Sequence, residues 1–97
     1  MFARITTADT RPEWVDDFIN VYEKSIVPAA KSQKGFCKAY FLVDRKTGKG
    51  LSITLWDSEE DAIANEKNLY YQEQLVKVKN LFTSPPTRQG FEVCIEA

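Results

Sequence analysis

Histidine is absent from this 97-residue sequence. That removes imidazole as a base or metal ligand, and with it the Ser-His-Asp and Cys-His arrangements and a histidine-held haem. Cysteine is almost as scarce. Cys37 and Cys94 are too few for a thiolate metal site, and both fall in apolar, strand-like segments, where small buried hydrophobes with free thiols are expected. No charge of one sign dominates, since 13 basic residues face 14 acidic ones for a net −1. The basic residues are scattered, so nothing electrostatic favours a nucleic-acid partner. No apolar run nears the roughly 20 residues of a membrane span. The first residues also lack a signal-peptide pattern, so the expected location is cytoplasmic. Repeats, low-complexity tracts and dividing linkers are missing as well, and residues 1–97 are expected to form one domain.

What is present is a clear alternation of strand and helix signals. Phe2 to Thr7 reads as an opening strand. Thr10-Arg-Pro-Glu13 carries a Thr cap, Pro at the helix start and Glu at the third helical position. Trp14, Phe18 and Tyr22 recur every four residues beside Val15, Ile19 and Ile26, which predicts one broad apolar stripe. Pro28 should end or bend that helix. Phe36 to Asp44 is rich in strand formers, and Gly48 is placed for the positive φ of a hairpin turn. In Gly50-Leu-Ser-Ile-Thr-Leu-Trp56, residues Leu51, Ile53 and Leu55 alternate with Ser52, Thr54 and Trp56. Asp57 with Glu60 then has the spacing of a helix cap and its reciprocal partner. The second helical region should start near Ser58, turn irregular between Asn65 and Asn68, and end about Leu81. Pro85-Pro86 breaks the chain, and Phe91 to Glu96 alternates as a closing strand.

The order βαββαβ predicts an α+β fold of the ferredoxin-like kind: a four-stranded antiparallel sheet in the order 4-1-3-2 with both helices on one face. With Asp44 opposite Lys49, Phe41 opposes Ser52. One sheet face then carries Cys37, Ala39, Phe41, Ser52, Thr54 and Trp56. The other carries Tyr40, Leu42, Leu51, Ile53 and Leu55, with Phe91, Val93 and Ile95 of the last strand. Helices can cover only one of these faces, yet neither is polar. A homodimer, with sheets packed through Leu51, Ile53 and Leu55, is the simplest closure, burying about 800 Å² per partner.

The order of elements, the Gly35-Phe36 lead into the second strand and above all Ile53-Thr-Leu-Trp56-Asp-Ser-Glu-Glu-Asp-Ala62 resemble the antibiotic-biosynthesis-monooxygenase-like family of dimeric α/β barrels. The resemblance runs over essentially the whole chain. It implies a substrate cavity between sheet and helices in each subunit, and oxygenase chemistry without flavin, metal or other cofactor. It also sets limits. Haem-degrading relatives pair the strand-end Trp with a histidine on the next helix and an asparagine on the first strand. Here Glu66 stands near the former position and Arg4, Ile5 and Thr6 near the latter, so haem degradation is not expected. Relatives that oxidise polycyclic phenols carry an asparagine four residues before the Trp, where this chain has Ser52, a shorter hydrogen-bonding group.

Local chemistry points to the same slot. Ala39, Ser52 and Thr54 are small, while Trp14, Phe18, Tyr22, Phe41 and Trp56 are large, a combination that either leaves room for a flat apolar ligand or fills the core. Tyr70 and Tyr71 could line its mouth. Candidate ligand contacts are therefore Trp56, Ser52, Thr54, Tyr22, Phe41, Trp14 and Arg4, with Arg4 or a tyrosine hydroxyl steadying a deprotonated substrate. Three functions fit: a cofactor-independent monooxygenase acting on an aromatic or quinol-type substrate, a non-catalytic binder of a small hydrophobic molecule, or a dimeric structural or regulatory protein of the same fold.

Overall fold

The computed structural model describes residues 1–97. Strand β1 (Phe2–Asp9) leads into a single 3-10 turn at Pro12–Trp14, and a helical run follows in three segments. These are α1 (Val15–Val21), a π-helical stretch at Tyr22–Ile26 and α2 (Val27–Lys31). Strands β2 (Phe36–Asp44) and β3 (Lys49–Trp56) form a hairpin, then come α3 (Glu59–Lys67), α4 (Leu69–Lys79) and β4 (Thr87–Glu92). The sheet order is β2-β3-β1-β4, antiparallel throughout, which is the ferredoxin-like order expected.

The hairpin register is the predicted one, with Asp44 opposite Lys49 and Phe41 opposite Ser52. Gly48 closes the turn at φ +82°, and a Cβ there would collide with the Thr10 carbonyl oxygen, so both conformation and space demand glycine. Phe18, Tyr22, Ile26, Ala29 and Ala30 of the first helical run pack with Tyr71 and Val78 of α4 into the main core above the sheet.

Several local expectations are corrected. Thr10 does not cap the first helix. Its backbone N–H is donated to the Gly48 carbonyl at 2.8 Å, and Arg11 takes the cap position with extended backbone. The tight 3-10 turn has three residues per turn rather than 3.6, which rotates Trp14 off the line of Phe18 and Tyr22. Of the two outcomes expected at Pro28, an end or a bend, the helix does not end there. The proline sits in the first turn of α2, and the preceding residues widen into a π-helix, with the Val27 N–H reaching the Tyr22 carbonyl five residues back. The wider turn accommodates a proline that has no N–H to donate.

The cap of α3 is Ser58, whose hydroxyl accepts from the Asp61 N–H at 3.1 Å, rather than Asp57. Asp57 instead accepts from the Cys37 thiol at 3.2 Å. Cys37 lies in a β-bulge: Phe36 pairs with Trp56 and Lys38 with Leu55, so Cys37 has no partner on β3 and drops out of the predicted alternation. Cys94 is exposed and Cys37 partly so, and both thiols are free. The closing strand starts four residues earlier than expected and stops at Glu92. Val93 and Ile95 therefore lie beyond the sheet, with Ile95 87% exposed. The polar run Thr87-Arg-Gln-Gly lacks apolar alternation, yet β1 supplies a full edge for its backbone hydrogen bonds.

Candidate functional site

A cavity of about 60 Å³ lies between the sheet and the helices. Its floor is made of alternate residues of the central strands: Arg4, Thr6 and Ala8 from β1, and Ser52, Thr54 and Trp56 from β3. The register that opposes Arg4 to Thr54 and Thr6 to Ser52 places all of them on one face. Phe18, Tyr22 and Ile26 form one wall. Ala62, Asn65 and Glu66 of α3 and Tyr71, Leu75 and Val78 of α4 form the other, while Phe82, Phe41 and Arg88 complete the ring.

The cavity has two ends of different chemistry. At the aromatic end, Tyr22 stacks on Phe41 at 4.5 Å between centroids, Phe41 on Phe18 at 5.0 Å, and Phe82 tilts against Phe18 at 5.7 Å. At the polar end, the Arg4 guanidinium is ion-paired with Glu66, and Arg88 approaches the other Glu66 oxygen at 3.6 Å. Arg4 is held from two further sides. The Phe2 ring lies against it at 5.5 Å, and Gly90 leaves the room on β4 where a Cβ would come within 2.8 Å of its guanidinium nitrogen.

Trp56 and Tyr22 have polar tips that find partners inside the protein. The Trp56 indole N–H donates to Thr54 Oγ1 at 2.9 Å, and its ring meets Phe36 edge-on at 5.6 Å, leaving it 1% exposed. The Tyr22 and Ser52 hydroxyls bond at 2.7 Å. Burial pushes the Tyr22 pKa up to about 12; the Ser52 hydrogen bond opposes this and nearby Tyr71 adds to it. Tyr22 thus keeps its proton near neutrality and serves as a hydrogen-bonding group rather than a base. Burial also raises the Tyr71 pKa, with the Asn65 amide and Arg88 pulling it down and Glu66 pushing it up.

Of the seven candidates read from the sequence, Trp56, Ser52, Thr54, Tyr22, Phe41 and Arg4 line this cavity. Trp14 does not. It is half-buried at the helix start under the Arg11 guanidinium, 4.9 Å from the ring centre. Tyr71 lies deep in the wall, whereas Tyr70 is 53% exposed on the outside of α4. Among the lining residues that were not anticipated are Asn65, Glu66, Arg88 and Phe82. A signal for the first two existed: Ala62, Asn65 and Glu66 sit at i, i+3 and i+4, one helical face turned to the sheet. Arg88 was hidden by the misplaced strand, and Phe82 lies past the end of α4.

Comparison with known proteins agrees with this architecture. The chain superposes on a monooxygenase from the gene ActVA-Orf6 of Streptomyces coelicolor, solved with the ligand nanaomycin D, with a TM-score of 0.86 at 14% identity, covering 99% of this chain and 89% of that one. SnoaB, a cofactor-independent oxygenase from Streptomyces nogalater solved as a point mutant, gives a TM-score of 0.80 at 13% identity, with 98% and 94% covered. Two uncharacterised Mycobacterium tuberculosis proteins are 36% identical over 55 residues, 57% of this chain, which spans only 25% of their length. The sequence model described as antibiotic biosynthesis monooxygenase matches residues 1–74. The match takes in β1 to β3, α3 and the Tyr71 part of the cavity wall, and so the chain belongs to the antibiotic biosynthesis monooxygenase family.

Proposed function

We propose that this protein is a cofactor-independent monooxygenase that oxidises a planar, electron-rich hydroxyarene in the cavity between sheet and helices. The observation that carries the reading is the two-ended cavity: stacked aromatic rings at one end, and the Arg4–Glu66–Arg88 cluster at the other. The likeness to the S. nogalater oxygenase and the S. coelicolor monooxygenase supports it. A phenol and dioxygen give a quinone and water. The four electrons come from the arene, one oxygen atom enters the ring and the other leaves as water. The protein's part is to bind the ring among Phe41, Tyr22 and Trp56, to exclude water, and to hold the ionised oxygen beside Arg4 and Arg88.

The cavity volume sets a condition on this reading. About 60 Å³ is less than the roughly 150 Å³ of an engineered apolar cavity that takes benzene. Leu75 and Phe82 separate it from an outer concavity of about 570 Å³, lined also by Val76, Thr83, Pro85 and Pro86. Swinging Phe82 outward joins the two and admits a bicyclic ring. A second reading, favoured by the small volume and the internally paired Trp56 and Tyr22, is a non-catalytic protein whose slot is filled by its own side chains. Oxygen consumption with 1,4-dihydroxynaphthalene, above the rate without protein and lowered in Arg88→Ala, supports the first. No excess uptake and no binding of any planar arene establishes the second.

The outer sheet face completes the proposal. Tyr40, Leu42 and Phe91 are each about half exposed beside Ile5, Leu51, Ile53 and Leu55, with no helix over them. A second copy packed sheet to sheet is the partner that covers such a face without exposing another.

A further inference from the structure

Four buried side-chain polar atoms have no hydrogen-bond partner: Arg4 Nε, Glu66 Oε1, Thr10 Oγ1 and Asn65 Oδ1. The first two belong to one ion pair. Thr10 does not line the cavity. Asn65 does, and the residue is only 4% exposed. None of the hydroxyls of the floor is a partner to it: Ser52 bonds with Tyr22, and Thr54 accepts from Trp56 without giving its own hydrogen to Asn65. The Asn65 side chain also acts to lower the Tyr71 pKa, which places it near the tyrosine hydroxyl, yet its Oδ1 has no hydrogen-bond partner there either. A buried carbonyl oxygen without a donor is costly, and native proteins rarely keep one unless something else supplies the hydrogen.

We infer that Asn65 Oδ1 is the acceptor for a hydroxyl group of the bound ligand, and that it selects ring ligands carrying a hydroxyl donor over isosteres without one. The inference rests on the cavity being a ligand site, as proposed above, and assigns Asn65 a role there. The placement suits it. Asn65 precedes Glu66 on α3, so a hydroxyl bonded to Asn65 lies beside the Arg4–Glu66–Arg88 cluster while the ring extends toward Phe41 and Tyr22. An oxygen that donates to Asn65 is held in its neutral form. A second oxygen on the same ligand remains free to face a guanidinium. Selection by a buried polar group is strong because the wrong ligand leaves that group unpaired.

The test compares 2-naphthol with 2-fluoronaphthalene, which has nearly the same shape and no donor. Calorimetric affinities are measured for the wild type and for Asn65→Leu, which matches the size of the side chain and removes the acceptor. The expected result is an affinity ratio, naphthol over fluoronaphthalene, about tenfold higher in the wild type than in the variant, the size of one buried hydrogen bond. A ratio unchanged by the substitution overturns the inference and leaves the oxygenase reading standing. If neither ligand binds the wild type, the cavity is not a ligand site and both readings fall.

Discussion

Tyr22 and Trp56 show how a residue can be placed correctly and still do a different job than its chemistry suggests. Each carries a polar tip in need of a partner, and each finds it on β3, at Ser52 and Thr54. Trp56 is therefore foremost a core residue. Trp56→Ala should cost about 3–5 kcal/mol in urea unfolding, a large share of the roughly 5–15 kcal/mol available to a domain. Phe82→Ala, at the thin wall between the two concavities, should cost less and strengthen binding of bicyclic arenes severalfold in calorimetric titration. Tyr22 makes a prediction about pH. Its pKa is about 12 in the folded protein against 10.0 for a free tyrosine, so the unfolded chain loses its proton first. Below pH 10 both states are protonated and the full contribution is present. Between about pH 10 and 12 stability falls, by as much as about 2–3 kcal/mol from this group. Tyr22→Phe should flatten that part of the stability curve, read by denaturant unfolding across pH.

The helices illustrate where periodicity is a sound guide and where local chemistry overrides it. The 3.6-residue stripe predicts Phe18, Tyr22 and Ile26 inward, and they are. It fails at Trp14, because a 3-10 turn precedes α1, and it does not foresee the π-helical stretch before Pro28. Both departures come from proline, which fixes φ and withholds a donor. At the other helical layer, the break between Asn65 and Asn68 is legible because Asn68 is a good capping residue. Its side chain accepts from the Tyr71 N–H at 2.9 Å, starting α4 in a new direction that brings Tyr71 inward. The α3 cap falls one residue later than the spacing of Asp57 and Glu60 implies, and the two possibilities separate cleanly. Ser58→Ala should lower stability by about 1 kcal/mol in thermal unfolding, whereas Asp57→Ala should leave the helix start unaffected.

At the scale of the whole molecule, the outstanding demand is the outer face of the sheet. Its residues come from all four strands, so no single helix of this chain reaches across it. Light scattering at micromolar concentration should report a dimer of the 11.1 kDa chain. Ile53→Glu, at the centre of that face and opposite Ile5 and Tyr40, should return monomers with the helical signal retained. A monodisperse wild-type monomer would remove the dimer from the proposal while leaving the cavity untouched.

The sequence alone determined the order of elements, the sheet order, the β2–β3 register and the face to which Ser52, Thr54, Phe41 and Trp56 belong. These follow from periods of two and 3.6 residues and from a turn glycine, all short-range properties of the chain. It did not determine β4, whose Thr87 to Gly90 segment becomes a strand because β1 offers it an edge. Nor did it reveal the polar end of the cavity. Arg4, Glu66 and Arg88 are far apart in the chain and meet only when β1, α3 and β4 are packed together. Whether a polar atom such as Asn65 Oδ1 is paired or left waiting is likewise decided by every neighbour at once, and that is a property of the tertiary structure.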